Sequence, residues 1–197
     1  LQIEKVNCGN SFIDFTHAFK RERFFDLLSD KIGENVFDMD FSELKNISKK
    51  LNIDIPESCT FPQLLDRLFS DLVEPTLINP TFVFDYPIAL SPLAKSHRDD
   101  SRLVERFELF LGGMEVANSF SELNDPQEQV ERFKSQKKLI EDGDNEAQVM
   151  DDDFINALSV GMPPTGGVGI GVDRLVMLLL GLSSIRDVII FPAMRKK

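Results

Sequence analysis

Cysteine and histidine are scarce in this sequence of 197 residues. The two cysteines, Cys8 and Cys59, form neither a CxxC pair nor a disulfide framework, so the sequence favours the reducing conditions of a cytoplasm. Of the two histidines, His97 has no cysteine or histidine neighbour at the spacing of a metal ligand. We therefore do not expect His97 to bind a metal or to act in catalysis.

Long apolar runs are also missing. No stretch would span a membrane, and the opening residues, LQIEKVNCGN, do not form a signal peptide. They also lack an initiator methionine, which suggests a piece of a longer protein. Hydrophobic content of 42% and charged content of 28% are typical of a soluble globular protein, and this length can bury the core of one domain.

Basic residues are outnumbered, because 22 Lys and Arg stand against 33 Asp and Glu, and the net charge is −11. Binding to a phosphate backbone depends mainly on lysine and arginine, so this balance argues against a nucleic-acid patch over the whole surface. Positive residues occur only in three short groups, which we interpret as solvated faces and a tail. These groups are Lys20, Arg21 and Arg23; Lys134, Lys137 and Lys138; and residues 195–197.

The first half of the chain has the pattern of short strands followed by helices. Weak alternation within residues 1–16 suggests one or two strands. Apolar residues at helical spacing predict helices over residues 21–32, 42–51 and 64–72, the first ending at Gly33 as its C-cap and the second starting at Ser42 as its N-cap. We interpret these helices as scaffold.

The second half adds further predicted elements around two motif-rich stretches. The run TFVFDYP predicts a short strand after Pro80, and Asp125 can cap a helix whose capping box would be completed by Glu128. A helix is expected near residues 154–160. The apolar residues 188–191 predict a buried strand.

The stretch FELFLGGMEVANSFSELND has the pattern of a β-hairpin. Two apolar runs meet at Gly112 and Gly113, a pair that can take positive φ at both centres of a tight turn. A two-residue loop places Phe110 opposite Glu115. Because side chains alternate along a strand, Glu108 and Glu115 then share one face of the ribbon.

The polar residues that follow depend on the regularity of this hairpin. In a regular ribbon, Asn118, Phe120 and Glu122 lie on the face opposite to Glu108. A β-bulge between Glu115 and Asn118 would turn all three side chains to the face of Glu108, and bulges are common beside active sites.

The second informative stretch, PPTGGVGIGVDRLVMLLLGL, alternates glycine with Val168 and Ile170 before an apolar helix. A strand with glycine at alternate positions leaves its backbone open to a ligand or to a second helix. Arg174 lies in the first turn of the helix, where the macrodipole disfavours a cation, so it is functional or pairs with Asp173 or another nearby acid. No GxxxxGK[ST] sequence and no following βαβ unit are present, which excludes a P-loop or Rossmann motif.

These residue types allow more than one chemistry. Glu108 and Glu115 could hold Mg²⁺ together with phosphate oxygens, or could act as an acid and base pair if their pKa values were pushed apart. Arg174 could meet a nucleotide by phosphate contact or by stacking. Glu122 offers a negative charge to a cationic group, and Asn118 can bond a polar group. Singly each could be an ordinary surface group, but together they favour a nucleotide, a metal and a small cationic substrate.

Several motifs carry a resemblance to a known family. GVGIGVDRLVMLLLGL is similar to motif 3 of class II aminoacyl-tRNA synthetases, with Asp-Arg opening an apolar helix. RFELFLGGMEVANSFSELNDP, GDNEA, GMPPTGG and SSIRDVIIFPAMR resemble the catalytic domain of lysyl-tRNA synthetases. The resemblance covers nearly the whole chain, is strongest from about Pro80 onward, and keeps the motifs in the family's order.

The resemblance implies an α+β fold, in which a six-stranded antiparallel sheet is flanked by helices. It implies one domain portion, with a helical insertion at about 20–75 and the active-site sheet with motif 3 at about 80–197. It also implies a cytoplasmic homodimer that activates lysine with ATP and Mg²⁺ to lysyl-adenylate and then transfers the lysyl group to tRNA(Lys).

The resemblance assigns the ATP end of the site to charged residues. Glu108 and Glu115 correspond to the family's Mg²⁺ ligands, and Arg174 corresponds to the catalytic motif 3 arginine that contacts ATP. In a regular ribbon Glu115 and Asn118 would point to opposite faces, yet the resemblance places both in one site. It therefore predicts the bulge between Glu115 and Asn118.

The resemblance assigns the rest of the substrate site to residues on both stretches. Asn118 and Phe120 correspond to residues lining the adenylate pocket, and Glu122 to the carboxylate that binds the lysine ε-ammonium. Gly169 and Gly171 are the expected substrate-binding backbone.

The sequence departs from the family's pattern at its start. Motif 1, which forms the dimer interface, motif 2, whose arginine binds the α-phosphate, and the anticodon-binding barrel are not found and would precede Leu1. Losing one such charge-stabilising donor commonly costs about 10²–10³-fold in rate. We therefore expect these 197 residues alone to be inactive or nearly so.

Two alternatives remain open. One is the related enzyme that lysylates a translation elongation factor instead of tRNA, although the SELND and FPAMR segments favour the synthetase. The other is a non-catalytic module that binds lysine or an adenylate.

Overall fold

Seven strands and six helices are found in the computed structural model, which describes residues 4–9, 11–56, 58–144 and 147–193. The strands are β1 (Lys5–Cys8), β2 (Ser11–Asp14), β3 (Lys20–Arg23), β4 (Thr81–Phe84), β5 (Arg106–Leu111), β6 (Met114–Ser121) and β7 (Gly166–Ile170). The helices are α1 (Phe24–Ile32), α2 (Phe41–Lys50), α3 (Phe61–Leu72), α4 (Pro126–Glu141), α5 (Asp152–Val160) and α6 (Val172–Leu179).

A five-stranded sheet in the order β3-β4-β5-β6-β7 organises the fold, and β1 with β2 forms a separate antiparallel hairpin. β4 to β7 pair antiparallel, whereas β3 pairs parallel to β4. The α+β class is confirmed. The sheet differs from the expected six antiparallel strands, because the described residues contribute five strands and one parallel pair.

The three helices expected in the first half form, with changes at their starts. α1 begins at Phe24 rather than at residue 21, because residues 20–23 extend along β4. α2 is capped by Asp40 rather than Ser42, since the Asp40 carboxylate accepts from the Glu43 N–H at 2.9 Å and Glu43 accepts from the Asp40 N–H at 2.8 Å. Gly33 has φ of 83° and ends α1 as predicted.

The core lies mainly between the sheet and the helices α1 to α3. Phe24 of α1 stacks on Phe69 of α3 with ring centroids 4.3 Å apart, and Phe69 lies 6.1 Å from the ring of Phe110 on β5. On the opposite face of the sheet, Leu111 packs with Leu178 of α6. The two faces therefore have separate partners, with α3 on one and α6 on the other.

Two predictions in the second half are wrong. Glu128 does not complete a capping box on α4; its Oε1 atom accepts from Ser96 and Arg132 instead, while Asp125 caps the helix as expected. Residues 188–191 do not form a buried strand, and Phe191 is 91% exposed. The reason is local: the N–H groups of residues 188 and 189 both bond to the Ile185 carbonyl, at 3.1 and 3.2 Å, so they are not available to a neighbouring strand.

Parts of some motifs fall outside the described residues. These are residues 145 and 146 of the GDNEA segment and residues 194–197, which include the third basic group. Within the described part of the chain, no helix combines the length and the apolar character needed to cross a membrane.

Candidate active site

The predicted hairpin forms between β5 and β6 with a tight turn. Gly112 and Gly113 have φ of 62° and 74°, values that favour glycine, and their N–H groups bond to carbonyl groups of residues 78 and 77 at 2.8 and 3.0 Å. Phe110 pairs with Glu115, as the sequence indicated.

A β-bulge interrupts this pairing at Val116. The next pair is Leu109 with Ala117, so Val116 is an extra residue on β6. Its effect is to shift the partner of Glu108 from Ala117, the regular position, to Asn118. The predicted bulge between Glu115 and Asn118 is confirmed.

The bulge brings the polar residues of both strands to one face. Because directly paired residues point to the same side of a sheet, Asn118 joins Glu108, and Phe120 follows two residues later. Glu115, paired with Phe110, points to the same side. The structure therefore brings together the two carboxylates and the two polar or aromatic residues expected in one site.

The Glu108 carboxylate is nearly buried and held at both oxygens. Its Oε2 accepts from the Tyr86 hydroxyl at 2.6 Å, and its Oε1 accepts from the Arg106 guanidinium. Burial raises the pKa of Glu108, an effect that the Arg106 charge and the Tyr86 hydrogen bond oppose and the Glu115 charge increases. Burial also keeps the pKa of Tyr86 well above its usual range, so its hydroxyl stays a donor.

Tyr86 and Arg106 were missed by the sequence reasoning. Tyr86 lies in the run TFVFDYP, whose composition indicated only a strand. Arg106 precedes Glu108 by two residues, the spacing that places two side chains on one face of a strand, and this was the available signal.

Arg174 lies beside Glu115 at the start of α6. Its Nη1 atom donates to the Glu115 backbone carbonyl at 2.8 Å and lies 3.3 Å from the Glu115 carboxylate. Both side chains are partly exposed. The sequence left Asp173 or another nearby acid as the partner of Arg174. The structure shows that the partner is Glu115.

Glycines leave the β7 side of this face without side chains. Gly169 pairs with Asn118, and Gly167 pairs with Phe120, so the backbone of β7 is open beside both. Gly171 follows β7, donates its N–H to the residue 116 carbonyl at 2.9 Å and lies against the Arg174 side chain. The structure places Gly169 and Gly171 on the open β7 side of this face, and their substrate-binding role stays a prediction.

Glu122 follows β6 and lies next to Gly167. Its N–H bonds to the Thr165 carbonyl at 2.9 Å, and a Cβ atom at Gly167 would overlap its carboxylate. Among the described residues, no hydrogen-bond donor or cation contacts this carboxylate. Burial raises the pKa of Glu122. The site therefore contains a half-buried carboxylate whose bonding capacity is available to a ligand, and Gly167 is a residue that the sequence reasoning did not assign.

His97 is not part of this constellation. Its ring Nε2 atom lies 3.7 Å from the Asp85 carboxylate, and its backbone N–H donates to the Leu103 carbonyl at 2.9 Å.

The carboxylate pair fits a hard cation better than acid and base catalysis. Mg²⁺ is commonly bound by one or two carboxylates plus substrate phosphates, and the described residues contain no group of three or more His, Cys, Asp or Glu placed to hold a metal alone. Glu108 and Glu115 repel each other electrostatically, which a divalent cation would relieve. Arg106 and Tyr86 both donate to Glu108, and hydrogen bonds to a carboxylate favour the ionised form that a metal ligand requires over the protonated form of a general acid.

The chain matches the model of a known protein family. The family model of class II tRNA synthetases (D, K and N) matches residues 2–195 of the chain. The chain belongs to this family. Membership accounts for the α+β fold and for the motifs along both stretches.

Relatives within the class II tRNA synthetase family are similar over nearly all of the chain. A lysine–tRNA ligase of Aquifex aeolicus is 51% identical over 193 residues, which are 97% of this chain and 32% of that relative. Lysine–tRNA ligases of Thermoanaerobacter pseudethanolicus and Saccharolobus solfataricus are 50% and 48% identical, over 99% and 98% of the chain and 39% of each relative. The chain thus spans 32% to 39% of the length of these relatives.

Proposed function

We propose that this chain forms part of a lysine–tRNA ligase, which joins lysine to ATP as lysyl-adenylate and then transfers the lysyl group to tRNA(Lys). The observation that carries the proposal is the Glu122 carboxylate, which is half-buried and has no protein donor among the described residues. It lies on the same open face as a carboxylate pair and a glycine-lined strand. The relatives are lysine–tRNA ligases, which supports lysine as the cationic substrate.

Glu122 binds the ε-ammonium of lysine in this proposal. A half-buried carboxylate without a cation carries a desolvation penalty, and a ligand ammonium removes it by forming charge-assisted hydrogen bonds. A neutral or anionic side chain would leave that penalty in place. Glu122 thus selects an amino acid with a cationic side chain over one with a neutral or anionic side chain.

The adenylate lies over β7 in this proposal. Gly167 and Gly169 give a planar group access to the backbone, while Phe120 and Asn118 border the same surface with an aromatic ring and an amide. Glycine at these positions is needed because side chains on this face of β7 would fill the space.

Glu108 and Glu115 would hold Mg²⁺, which neutralises phosphate charge when it is bound. Arg174 is the guanidinium that contacts Glu115, and moving from Glu115 to a phosphate would keep it charge-paired throughout. The protein residues therefore orient ATP so that a lysine carboxylate can attack the α-phosphorus and release pyrophosphate. Stabilisation of the charge that develops in the transition state follows from this preorganisation.

Other features belong to the complete protein in this proposal. We infer a cytoplasmic homodimer, a single domain portion with a helical insertion at about 20–75, and little activity of these residues alone. None of these three features rests on a contact within the described residues. They follow from membership of the family.

The two alternatives make different predictions for the complete gene product. A lysyltransferase acting on an elongation factor would activate lysine but would not charge tRNA(Lys). A non-catalytic module would bind lysine or an adenylate without metal-dependent exchange of pyrophosphate into ATP. Measuring lysine-dependent exchange first, and tRNA charging second, separates the three.

The direct test is calorimetry of this chain with the non-hydrolysable sulfamoyl analogue of lysyl-adenylate. We expect Glu122→Gln to weaken binding by about 10–150-fold, since a hydrogen bond to a charged group contributes about 1.5–3 kcal/mol. The control variant is Glu131→Gln, which removes an exposed carboxylate of α4 and should bind as the unmodified chain does.

A second ligand sharpens this test. The norleucyl analogue lacks the ε-ammonium, so it should bind the unmodified chain and Glu122→Gln nearly equally. Equal affinity of both proteins for the lysyl analogue would refute the role of Glu122. No binding by a folded unmodified chain would refute a complete lysine pocket within these residues.

A further inference from the structure

One arginine in the site has no role in the steps above. We propose that Arg106 is the positioning residue of this site, holding the metal ligand Glu108 and the substrate-facing Asn118 in one fixed relation. The inference rests on the proposed function, because it assigns the residue that sets the geometry of that site.

Every nitrogen of the Arg106 guanidinium has a partner. Nε donates to the Asn118 amide oxygen at 3.2 Å, and Nη2 donates to the Glu108 carboxylate. Nη1 donates to the Leu90 carbonyl at 2.9 Å and to the Ser91 hydroxyl at 2.8 Å. One planar group therefore connects β5, β6 and the loop at residues 90–91.

The Tyr86 ring fixes the plane of this guanidinium. The Arg106 Cζ atom lies 4.6 Å from the centroid of the ring, and the Tyr86 hydroxyl donates to the second oxygen of Glu108. Arginine, tyrosine and glutamate thus form a closed set in which each member contacts the other two. A rotation of Glu108 would break contacts with both of its partners.

Arg106 also determines which way the Asn118 amide faces. Because the amide oxygen accepts from Arg106, the amide NH₂ group is the part left for a ligand. Asn118 is thereby set to donate, so its ligand atom must be an acceptor such as a carboxylate, carbonyl or phosphate oxygen. A cationic ammonium is assigned to Glu122 instead.

Lysine cannot replace Arg106 in this role. Its ammonium is a compact charge without the planar fork that reaches Asn118, Glu108 and the loop together. Arg106→Lys keeps the positive charge near Glu108 and loses the fixed geometry. It therefore separates positioning from simple neutralisation.

The chain offers a matched control in Arg132 of α4. The Arg132 side chain is 11% exposed and the Arg106 side chain 15%, so the two are buried to a similar degree. Arg132 donates to the Ser96 hydroxyl at 2.9 Å and to the Ser91 carbonyl at 3.4 Å, so it holds the same loop. Among the described residues Arg132 contacts this loop and Glu128 but neither Glu108 nor Asn118, so Arg132→Lys reports the loss of a buried arginine without loss of the positioning contacts.

The experiment measures ATP binding by calorimetry over a range of Mg²⁺ concentrations, with the complete gene product. We expect Arg106→Lys to raise the half-saturating Mg²⁺ concentration about 10–100-fold, as is usual when a partner of a metal ligand is removed. Arg132→Lys should lower the melting temperature about as much as Arg106→Lys does. It should leave the Mg²⁺ dependence of ATP binding unchanged. Ser91→Ala, which removes one anchor of the guanidinium, should give a smaller shift of the same sign and serves if Arg106→Lys does not fold.

Lysine-dependent exchange of pyrophosphate is measured in parallel. An unchanged Mg²⁺ dependence in both Arg106→Lys and Ser91→Ala, or an equal shift in Arg132→Lys, overturns the positioning role. Absence of exchange in the unmodified protein, with Mg²⁺-dependent ATP binding still sensitive to Arg106, refutes the proposed function and supports the positioning role. The two failures are therefore distinguishable.

Discussion

Three glutamates on one face of the sheet have three different environments. Glu108 is buried and held at both oxygens by Arg106 and Tyr86. Glu115 is partly exposed and contacts Arg174, whereas no donor among the described residues contacts the Glu122 carboxylate. The same residue type can therefore serve as a rigid ligand, an adaptable ligand and a receptor for a cation, because local contacts differ.

The raised pKa of Glu122 predicts how ligand binding and stability depend on pH. Binding of the lysyl analogue needs the ionised carboxylate, so its affinity should begin to fall at a pH above the usual glutamate range as the pH is lowered. The effect on folding has the opposite sign. Because the folded-state pKa lies above the unfolded value, the stability contributed by the protonated group is present at low pH and is lost as pH rises through the folded pKa.

The measurement compares the unmodified chain with Glu122→Gln. Calorimetry between about pH 4 and 8 should show a larger loss of affinity at low pH for the unmodified chain than for Glu122→Gln. Thermal melts at pH 7 should show that Glu122→Gln is at least as stable, since it removes a desolvated charge. A large loss of stability in this variant would contradict the absence of a protein partner for Glu122.

At the scale of elements, the β5–β6 hairpin and β7 make separate contributions. The bulge at Val116 places residues of both parities on one face, and β7 leaves that face open because Gly167 and Gly169 carry no side chains. A regular hairpin would not bring Asn118 to the face of Glu108. A β7 strand with side chains would fill the open surface beside them.

Gly167→Ala should weaken ligand binding with little change in stability. The new Cβ atom would overlap the Glu122 carboxylate and displace it, while the backbone of Gly167 does not need the left-handed conformation. We expect the affinity for the lysyl analogue to fall about 10-fold or more, as for loss of a charged hydrogen bond.

Gly166→Ala is the control for this prediction. It lies on the same strand at the opposite parity, and its Cβ would come no closer than 3.9 Å to a neighbouring atom. This variant should bind as the unmodified chain does. Equal losses in the two variants would indicate a general effect of alanine on β7 rather than displacement of Glu122.

At the scale of the whole molecule, the two faces of the sheet divide support from function. α3 covers the site-bearing face at Phe110, and α6 packs on the opposite face at Leu178. The site occupies the part of the first face toward β7. α6 also brings Arg174 around the edge of the sheet to Glu115, so a helix that supports the back of the sheet supplies a charge to its front.

Mg²⁺ and ATP should bind cooperatively to this site. Two carboxylates leave most of the metal's coordination positions to water or phosphate, so Mg²⁺ alone should bind weakly. We expect each ligand to tighten the other by the same factor, about 5–150-fold. Calorimetric titration of Mg²⁺ with and without ATP, and of ATP with and without Mg²⁺, measures both factors.

Glu115→Gln is the variant that tests this coupling. It removes one of the two carboxylates and should reduce the coupling factor while leaving the weak metal-free binding of ATP. Tight Mg²⁺ binding without nucleotide, or a coupling factor unaffected by Glu115→Gln, would contradict a metal site shared by protein and phosphate.

Local patterns in the sequence predicted much of this arrangement. The glycine pair predicted the turn, the alternation of glycine predicted β7, and helical spacing predicted α3. These features succeed because they depend on the backbone preferences of neighbouring residues. Residues 188–191 were one of the failures, since apolar composition indicates burial but does not specify where the backbone N–H groups bond.

The sequence by itself determined the turn of the β5–β6 hairpin, the parity of Glu108 and Glu115, and similarity to a family, because each of these is written in residues close together along the chain. Only the tertiary structure decided that Arg106 and Tyr86 hold Glu108, that Arg174 pairs with Glu115, and that Gly167 makes room for Glu122. These contacts join Glu122 with Gly167, and Glu115 with Arg174, across more than 40 residues. Their geometry depends on strand register and helix packing, which local spacing does not encode.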